Sequence, residues 1–340
     1  MGKAAVINPY LDTLGGGERY SLAFVDALSQ NGDQVDVQWK NGKIKNLLEE
    51  RFGKKLNENI SFVSDARRGD GYDVCFWVSD GSIPTLRARK NFLHFQVPFH
   101  RVGGNSLLNK MKLFRIDKII CNSNFTKEVI DQEYGVESVV IYPPVDVVHI
   151  KPKRKENIIL SVGRFSSLMQ SKKQDELVKL FKGIDLDDWR LVLAGGIEIG
   201  ADEFVQKVEK LAQGANIEII KSPDFGQLRE IYGKAKIFWS ASGYGEDEKK
   251  NPGKVEHFGI TVVEAMAAGV VPLVFNSGGH KEIIQDGIDG ELWESLSELK
   301  KETKNLIKDS KTLREMSIAA KNTAQKYSYE RFNKEVLALL

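Results

Sequence analysis

The stretch PPVDVVHIKPKRKENIILSVGR, residues 143–164, decides how the chain is organised. It opens with Pro143-Pro144, which stops regular structure, and continues through a polar segment, Val147–Asn157, without helical or strand periodicity. The apolar run Ile158–Val162 then predicts a new strand, so the polar segment is interpreted as a linker between two folded parts. The length of 340 residues supports this division, because one domain usually contains about 100–200 residues.

Short apolar runs alternate with amphipathic stretches on both sides of this linker, which is typical of βαβ units with parallel sheets. The first half has predicted strands at Ala4–Asn8, Val35–Trp39, Asn59–Val63, Tyr72–Val78, Asn91–Gln96, Lys118–Asn122 and Ser138–Tyr142, and predicted helices at Glu18–Gln30, Lys43–Arg51, Ser106–Arg115 and Phe125–Tyr134. The second half has predicted strands at Ile158–Val162, Arg190–Ala194, Asn216–Ile220, Ile237–Ser240 and Val270–Phe275, and predicted helices at Asp175–Phe181, Ala201–Ala212, Phe225–Lys234, Thr261–Ala268 and His280–Gln285.

This alternation predicts an α/β fold of two doubly wound domains, residues 1–150 and 151–326, whose strands end at a shared cleft. Residues after Gly290 are predicted to be mainly helical. The last segment, 327–340, is predicted as a C-terminal helix that packs back toward the first domain, because it follows the completed second sheet.

Composition limits the functions that the chain can have. The net charge is only +2, from 49 basic and 47 acidic residues, which argues against a nucleic-acid partner. Cys75 and Cys121 lie in apolar runs and are interpreted as core thiols in a reducing compartment. Without a signal segment, a long apolar span or a metal-ligand spacing, the sequence predicts a cytoplasmic protein with no bound metal.

A glycine-rich turn, Gly15-Gly16-Gly17-Glu18-Arg19, lies between the first predicted strand and the first predicted helix. Glycines let backbone N–H groups approach a ligand closely, and a helix N-terminus attracts anions. The turn therefore predicts a phosphate or sugar site, with a flexible connection as the alternative. Its spacing is neither Gly-x-Gly-x-x-Gly nor a P-loop, which argues against nicotinamide binding and ATP hydrolysis.

Three cationic residues follow the first strand of the second domain. Arg164 comes directly after it, and Lys172 and Lys173 come eight and nine residues later, at the start of the next predicted helix. A guanidinium fork and an ammonium group at one strand end suit a diphosphate. Solvated surface charge is the alternative interpretation, although the helix dipole disfavours cations at that end unless an anion is present.

Two carboxylates lie eight positions apart in the segment EHFGITVVEAMAAG, residues 256–269. A predicted loop-to-helix junction puts Glu256 on the loop and Glu264 in the first helical turn. Both then face one polar ligand, while the N–H groups between them bind its oxygens. A capping box is the alternative for Glu264, because Thr261-x-x-Glu264 has that spacing. His94, near the end of a first-domain strand, has an ordinary core position as its alternative.

These features follow one another in the order found in one family of enzymes. The chain resembles a retaining GT-B glycosyltransferase of family 4, a group that uses sugar nucleotides. The matching pieces are the glycine-rich turn, His94, Ser123-Asn124-Phe125-Thr126, Tyr142-Pro143-Pro144-Val145-Asp146, Ser161-Val162-Gly163-Arg164-Phe165, the Glu-x7-Glu element from Glu256 to Glu264 with Ala265-Met266-Ala267-Ala268-Gly269 after it, and Ser277-Gly278-Gly279. The resemblance implies two Rossmann-like domains facing across a central cleft, no protein-bound cofactor, and a nucleoside diphosphate sugar as the donor substrate.

The resemblance also implies that the second domain binds the donor. Arg164 and Lys172 would hold the diphosphate and stabilise it as the leaving group. Glu256 would contact the transferred sugar, and Glu264 would accept the ribose hydroxyls. Backbone amides for the donor would come from Phe258, Gly259 and Ile260.

The first domain is implied to bind mainly the acceptor, which is a carbohydrate or a lipid-linked molecule. Gly16 and Gly17 would approach the phosphates, and His94 would lie near the reaction centre. The alternatives are a sugar-nucleotide epimerase of similar architecture and a non-catalytic, two-lobed nucleotide-sugar-binding protein.

The sequence departs from the family pattern in two places. The connection Phe165–Ser171 is longer than usual. The alternative to Lys172 at the diphosphate is therefore Lys173, the next residue along the chain. A charged loop, Gly243–Val255, is inserted just before Glu256 and is a candidate for shaping sugar or acceptor choice.

The segment Ser106–Arg115 suggests where a lipid-linked acceptor would be met. Leu107, Met111 and Phe114 share one predicted helical face, and the cations beside it are Lys110, Lys112 and Arg115. Such a helix fits peripheral contact with an anionic membrane, at the inner face of the cell membrane for a cytoplasmic protein. A core-facing helix with a solvated basic side is the alternative, since ordinary surface helices have the same pattern.

Overall fold

The computed structural model describes residues 2–13, 15–53, 55–167 and 170–340. Leu14, beside the glycine-rich turn, and Leu168 and Met169, in the long connection before Lys172, lie outside these ranges. The chain divides into two compact units, Met1–Pro144 with Tyr329–Leu340, and Val145–Ser328. Each unit contains one parallel sheet whose strands are joined by helices, so the predicted α/β class with two doubly wound units is confirmed.

Elements are labelled in chain order. The first unit contains β1 (Lys3–Ile7), α1 (Gly16–Gln30), β2 (Gln34–Gln38), α2 (Ile44–Phe52), β3 (Ile60–Val63), β4 (Val74–Val78), β5 (Lys90–Phe95), α3 (Leu107–Leu113), β6 (Lys118–Cys121), α4 (Asn124–Tyr134), β7 (Val139–Val140) and the last helix, α12 (Tyr329–Leu337). The sheet order is β3-β2-β1-β4-β5-β6-β7. The strand order reverses at β1, and ligands of such sheets bind beyond the carboxyl ends of the strands at this point.

The second unit contains β8 (Ile158–Val162), α5 (Gln174–Lys182), β9 (Arg190–Gly195), α6 (Asp202–Ala212), β10 (Ile217–Lys221), α7 (Phe225–Lys234), β11 (Ile237–Ser240), α8 (Ile260–Ala267), β12 (Val271–Phe275), α9 (His280–Ile283), β13 (Glu291–Trp293), α10 (Leu296–Lys308) and α11 (Ser310–Ala324). The sheet order is β10-β9-β8-β11-β12-β13, with the reversal at β8 and β11. The connections after β8, β11 and β12 therefore leave the sheet at neighbouring points of one edge.

The central strands are apolar because both faces of a parallel sheet are covered. Four of the five residues of β1 are buried, and all five residues of β8 are buried. Helix α12 packs on α1, where the ring of Phe332 meets the ring of Tyr20 edge-on at a centroid distance of 5.1 Å. Arg331 also donates a hydrogen bond to the carbonyl oxygen of Tyr142 at 2.7 Å.

The glycine-rich turn differs from its prediction, because α1 begins at Gly16 and not at Glu18. Gly15 is the N-cap, and the carboxylate of Glu18 accepts hydrogen bonds from the Gly15 N–H and the Thr13 hydroxyl, both at 2.7 Å. Gly16 and Gly17 are therefore the first two residues of the helix. Residues 16–19, predicted in part as a turn, therefore belong to the helix.

The segment predicted as a linker, Val147–Asn157, packs on the second unit. The ammonium of Lys155 donates hydrogen bonds to the carbonyl oxygens of Ala235 and Ala268, at 2.8 and 2.7 Å, just after α7 and α8 end. Burial of Lys155 lowers its pKa to about 7. The polar sequence thus reflects the capping of two helix ends as well as exposure to water.

Two further predictions needed correction. The chain after Gly290 is mainly helical, but it begins with β13, which extends the second sheet beside β12. The core-facing alternative for the segment 106–115 is wrong for the face of Leu107, Met111 and Phe114, which are exposed, while the partly buried Leu113 packs against the core.

Candidate functional site

An ion pair between Lys172 and Glu256 lies at the centre of the candidate site. The ammonium of Lys172 is 2.7 Å from Glu256 Oε2 and 3.3 Å from the hydroxyl of Ser242. Burial on its own would raise the pKa of Glu256, but the charge of Lys172 outweighs it and the pKa falls to about 2. Glu256 is therefore ionised at neutral pH, and solvated surface charge is the wrong interpretation of Lys172, because its ammonium is paired with this carboxylate.

Two glycines explain how the loop that carries Glu256 is held in place. A Cβ at Gly278, where φ is +53°, would lie 2.2 Å from the Glu256 carbonyl oxygen, and a Cβ at Gly279 would lie 2.4 Å from the Phe258 Cα. The N–H of Gly279 donates to the same Glu256 carbonyl at 2.8 Å. Any side chain at either glycine would push this loop away from the sheet.

The close approach of Lys172 also depends on a glycine. A Cβ at Gly163 would lie 2.6 Å from Lys172 Cγ, so the lysine stem passes directly over the end of β8. Arg164 is the next residue and is exposed. Its side chain makes no hydrogen bond or ion pair with any residue in the described ranges, whereas its carbonyl oxygen accepts a hydrogen bond from Gln174 at 3.0 Å. The guanidinium is thus exposed and has no ion-pair partner among the described residues.

Lys173 points to a different partner from Lys172. It is the N-cap of α5, with φ at +52°, and its ammonium lies 3.6 Å from the carboxylate of Glu246. The structure therefore associates Lys172 with Glu256 and Lys173 with the inserted loop. Both lysines remain candidates for the diphosphate.

The amides predicted to bind the donor lie at the N-terminus of α8. Gly259 is the N-cap, with φ at +116°, and the first intrahelical bonds to its carbonyl come from Val262 and Val263 at 3.0 and 3.2 Å. The amides of Gly259 and Ile260 consequently have no acceptor within the helix. Phe258 is buried, and its ring packs against Tyr327 at a centroid distance of 5.3 Å.

Glu264 lies one residue further into α8 than the sequence predicted. Because α8 begins at Ile260, Glu264 is its fifth residue, and Thr261 is inside the helix and not the N-cap. The capping-box alternative is therefore wrong. Glu264 is buried, and Oε2 accepts a hydrogen bond from the hydroxyl of Tyr232 in α7 at 2.9 Å.

In the first unit, His94 is fully buried within β5. Its ring stacks on Tyr20 at a centroid distance of 4.1 Å, and Nδ1 lies 3.1 Å from the carbonyl oxygen of Ile120. Burial lowers the pKa of His94 to about 3, so the ring is neutral at pH 7. Nδ1 then carries the proton, and Nε2 is a buried acceptor without a partner among the described residues.

Gly17 and Gln96 define a second tight contact in this unit. A Cβ at Gly17 would lie 1.9 Å from Oε1 of Gln96, so any other residue there would require the Gln96 side chain to move. Gly16 and Gly17 present the first amides of α1, which lack acceptors within the helix. Of the predicted residues of the first unit, Gly16 and Gly17 thus come after β1, and His94 lies in β5 one residue before its carboxyl end.

Two residues beside the pair of Lys172 and Glu256 were not among the predicted site residues. Ser242 follows β11, and His280 begins α9, with Nδ1 2.9 Å from the Phe275 carbonyl oxygen and Nε2 3.3 Å from the Ser240 hydroxyl. Burial lowers the pKa of His280. The only sequence signal for these residues was their position directly after strands that end at one edge of the sheet.

The described residues contain neither a candidate metal site nor a candidate membrane-spanning helix. No group of three or more His, Cys, Asp or Glu residues in those ranges is arranged to hold a metal ion. Among the helices described, none combines the length and the apolar character needed to cross a membrane.

The family model for glycosyl transferases group 1 matches residues 147–323, which is more than half of the chain. The chain belongs to this family. The match spans Arg164, Lys172 and the two glutamates of the Glu-x7-Glu element, whereas Gly16, Gly17 and His94 lie outside it.

Curated relatives of this glycosyl transferase include two mannosyltransferases. The GDP-Man:Man(3)GlcNAc(2)-PP-Dol alpha-1,2-mannosyltransferase of Dictyostelium discoideum is 27% identical over 233 residues, which is 63% of this chain and 44% of that protein. The GDP-mannose:cellobiosyl-diphosphopolyprenol alpha-mannosyltransferase of Komagataeibacter xylinus is 28% identical over 133 residues, covering 39% of this chain and 31% of its own length. The chain thus spans about half the length, or less, of these relatives.

Solved structures match the whole chain at low sequence identity. A glycosyltransferase from Rickettsia africae aligns with a TM-score of 0.78 at 18% identity, over 99% of this chain and 97% of that one. The Anabaena protein Alr3699/HepE, in complex with UDP, aligns with a TM-score of 0.76 at 16% identity, over 99% of both chains. These likenesses confirm the predicted GT-B fold for this glycosyl transferase.

Proposed function

We propose that the protein is a retaining glycosyltransferase that moves a sugar from a nucleoside diphosphate sugar to an acceptor hydroxyl in glycan, polysaccharide or glycolipid synthesis. The observation that carries this proposal is the ion pair of Lys172 and Glu256, in the same unit as the exposed Arg164 and the α8 amides that lack acceptors within the helix. The relatives named as GDP-mannose-dependent enzymes support a GDP-linked donor, and the UDP in the Anabaena structure keeps UDP as the second candidate.

The proposed reaction breaks the bond between the anomeric carbon and the β-phosphate oxygen of the donor. The electron pair goes to that oxygen, and the acceptor oxygen bonds to the anomeric carbon on the same face. The acceptor proton passes to the leaving phosphate. Arg164 and Lys172, or Lys173, stabilise the negative charge that develops there, because fixed cations in a preorganised site lower such a barrier.

The remaining residues orient the substrates. Glu256, ionised at neutral pH, accepts hydrogen bonds from hydroxyls of the transferred sugar, and Glu264 accepts those of the ribose. The N–H groups of Gly259 and Ile260 bind donor oxygens. In the first unit, Gly16 and Gly17 supply amides for phosphate oxygens. His94, with a neutral ring and Nε2 without a described partner, accepts a hydrogen bond from a substrate hydroxyl.

The acceptor is proposed to be lipid-linked and to be met at the cytoplasmic face of a membrane, through α3. The exposed fractions are 77% for Leu107, 61% for Leu108, 67% for Met111 and 93% for Phe114. Together with Val102, which is 47% exposed, these side chains form the apolar patch. Lys110 and Arg101 are exposed beside it, so the patch combines apolar insertion with attraction to anionic lipid.

A donor screen and three variants test the proposed reaction. At 100 times its dissociation constant, the true donor should stabilise the protein by about 2.7 kcal/mol in thermal unfolding. Arg164→Ala and Lys172→Ala are each expected to cut turnover on the order of 10²–10³-fold while the fold persists, because each removes one stabilising charge. If Lys173→Ala is the sensitive variant, Lys173 holds the diphosphate; if neither lysine matters, the assignment fails.

The same assay separates the alternatives. An epimerase converts the nucleotide sugar when no acceptor is present, and a binding protein is stabilised by the nucleotide sugar but never consumes it. Release of the nucleoside diphosphate that depends on the acceptor, with retention at the anomeric carbon, supports the proposal. Conversion that is independent of the acceptor contradicts it.

A further inference from the structure

The loop Gly243–Val255, here called the acidic strap, joins β11 to Glu256 and carries three carboxylates in a row, Glu246, Asp247 and Glu248. It leaves β11 along a fixed path, because Gly243 has φ at +89° and a Cβ there would lie 2.5 Å from the Ser277 hydroxyl. Nothing in the proposed reaction uses these carboxylates.

Two carboxylates tie the acidic strap to other loops of the second unit. Glu248 accepts a hydrogen bond from the N–H of Gly278 at 2.8 Å and pairs with the ammonium of Lys281 at 2.6 Å. Glu246 lies 3.6 Å from the ammonium of Lys173 and 3.4 Å from that of Lys254. Glu248 therefore anchors the strap. Glu246 pairs with Lys173, which is a candidate for binding the diphosphate.

The position of Glu246 makes it a competitor for anionic ligands. The side chains of Glu246 and Lys173 are only 22% and 26% exposed, so water screens their interaction less than that of a surface pair. A phosphate that approaches Lys173 must share the ammonium with a fixed carboxylate or displace it. The repulsion from that carboxylate grows with the negative charge of the ligand.

Donor and product differ in this charge. The diphosphate of a nucleotide sugar carries two negative charges, because its terminal phosphate is esterified. After transfer, the free terminal phosphate of the nucleoside diphosphate ionises once more, with a second pKa near 6. A fixed carboxylate at Lys173 therefore weakens binding of the product more than binding of the donor.

We infer that Glu246 is a specificity-determining residue that favours the nucleotide sugar over the nucleoside diphosphate product by competing for Lys173. This inference rests on the proposed function, since it takes Lys173 to lie within reach of the diphosphate. It gives the inserted loop a definite role, which is to assist product release.

Calorimetric titration of Glu246→Gln with GDP and with UDP tests this role. The variant keeps the shape of the side chain and removes its charge. The dissociation constant of the nucleoside diphosphate that binds the wild type should fall about two- to fivefold, as expected for a partly exposed ion pair. The constant for the matching nucleotide sugar should fall less, and high salt should shrink both changes.

Asp247→Asn is the matched control, because Asp247 lies on the same strap and its only ion pair in the described ranges is with Lys250, at 3.3 Å. It should leave both dissociation constants unchanged. Equal effects of the two variants, or unchanged or weaker product binding by Glu246→Gln, overturn the inference. A wild type that binds neither nucleoside diphosphate contradicts the proposed function itself, and the inference with it.

Discussion

At Glu256, burial and charge act on one carboxyl group in opposite directions. Burial raises its pKa, and the ammonium of Lys172 brings the value down to about 2. A group with that pKa is ionised throughout the neutral range, so it accepts hydrogen bonds and does not serve as a general acid. Lys172 therefore keeps the Glu256 carboxylate charged and, in the proposed reaction, also faces the leaving phosphate.

Glu264→Gln tests the ribose role of Glu264. A neutral amide accepts weaker hydrogen bonds than a carboxylate, so the dissociation constant for the nucleoside diphosphate should rise about tenfold. Thermal stability should change little, because the amide oxygen still accepts from the hydroxyl of Tyr232. Titration calorimetry and thermal unfolding of the variant measure both quantities.

Tyr232→Phe is the control for that experiment. It removes the hydroxyl donor and leaves the carboxylate of Glu264 in place, so we expect a loss of stability of about 1 kcal/mol with nearly unchanged nucleotide affinity. Unchanged nucleotide affinity in Glu264→Gln would show that this carboxylate only joins α7 to α8.

Local spacing identified Glu256 and Glu264 as a pair but could not identify their partners. The capping-box hypothesis for Glu264 followed from Thr261 alone, whereas the helix begins earlier because Gly259 adopts a positive φ. The contact with Tyr232 spans 32 positions and depends on how α7 and α8 pack. The role of the strap residue Glu246 was hidden in the same way, because its partner Lys173 belongs to another loop.

At the scale of elements, prediction succeeded where an apolar run was long and had clear limits. Ile158–Val162 was predicted with the bounds that β8 has, because five buried residues lie between a polar segment and Gly163. Strand β13 was missed, because its three residues stand between a turn and a helix with many charged residues. Only pairing with β12 makes this segment a strand, and pairing is not visible in local sequence.

Strand β13 also contains a carboxyl group with an unusual pKa. Burial raises the pKa of Glu291 to about 7, and the nearby Asp286 and Glu302 add to the effect. Between about pH 4.5 and 7 the folded chain therefore binds more protons than the unfolded chain, and the free energy of unfolding falls as the pH rises. Glu291→Gln should remove this loss, so its melting temperature should exceed that of the wild type at pH 8 and match it near pH 4.

Thermal unfolding at these two pH values measures the effect. The control is Glu294→Gln, because Glu294 is exposed and follows β13 directly. This variant should shift the melting temperature by the same small amount at both pH values. A Glu291→Gln variant whose advantage is equally large at pH 4 would contradict the role of ionisation.

At the scale of the whole molecule, the charge is nearly balanced. With 49 basic and 47 acidic residues, the chain has no general attraction for anionic surfaces, so any binding to acidic lipid must come from a local feature. The apolar patch is such a feature, and it is presented rigidly. The carboxylate of Glu133 accepts hydrogen bonds from the N–H groups of Arg101, Val102 and Gly104, at 2.8 to 3.0 Å, and so fixes the turn before α3.

The full chain should therefore sediment with vesicles that contain acidic lipid and not with neutral vesicles. Changing Lys110, Lys112 and Arg115 together to Glu should abolish sedimentation at low salt, because each cation near an anionic surface contributes about 1 kcal/mol. Raising the salt concentration should release the wild type, since the attraction is screened within a Debye length of about 10 Å at 0.1 M. Phe114→Ser should weaken binding at every salt concentration, because apolar insertion is not screened. Sedimentation that the charge reversal leaves unaltered, or that never occurs, would contradict membrane contact through α3 and favour a soluble acceptor.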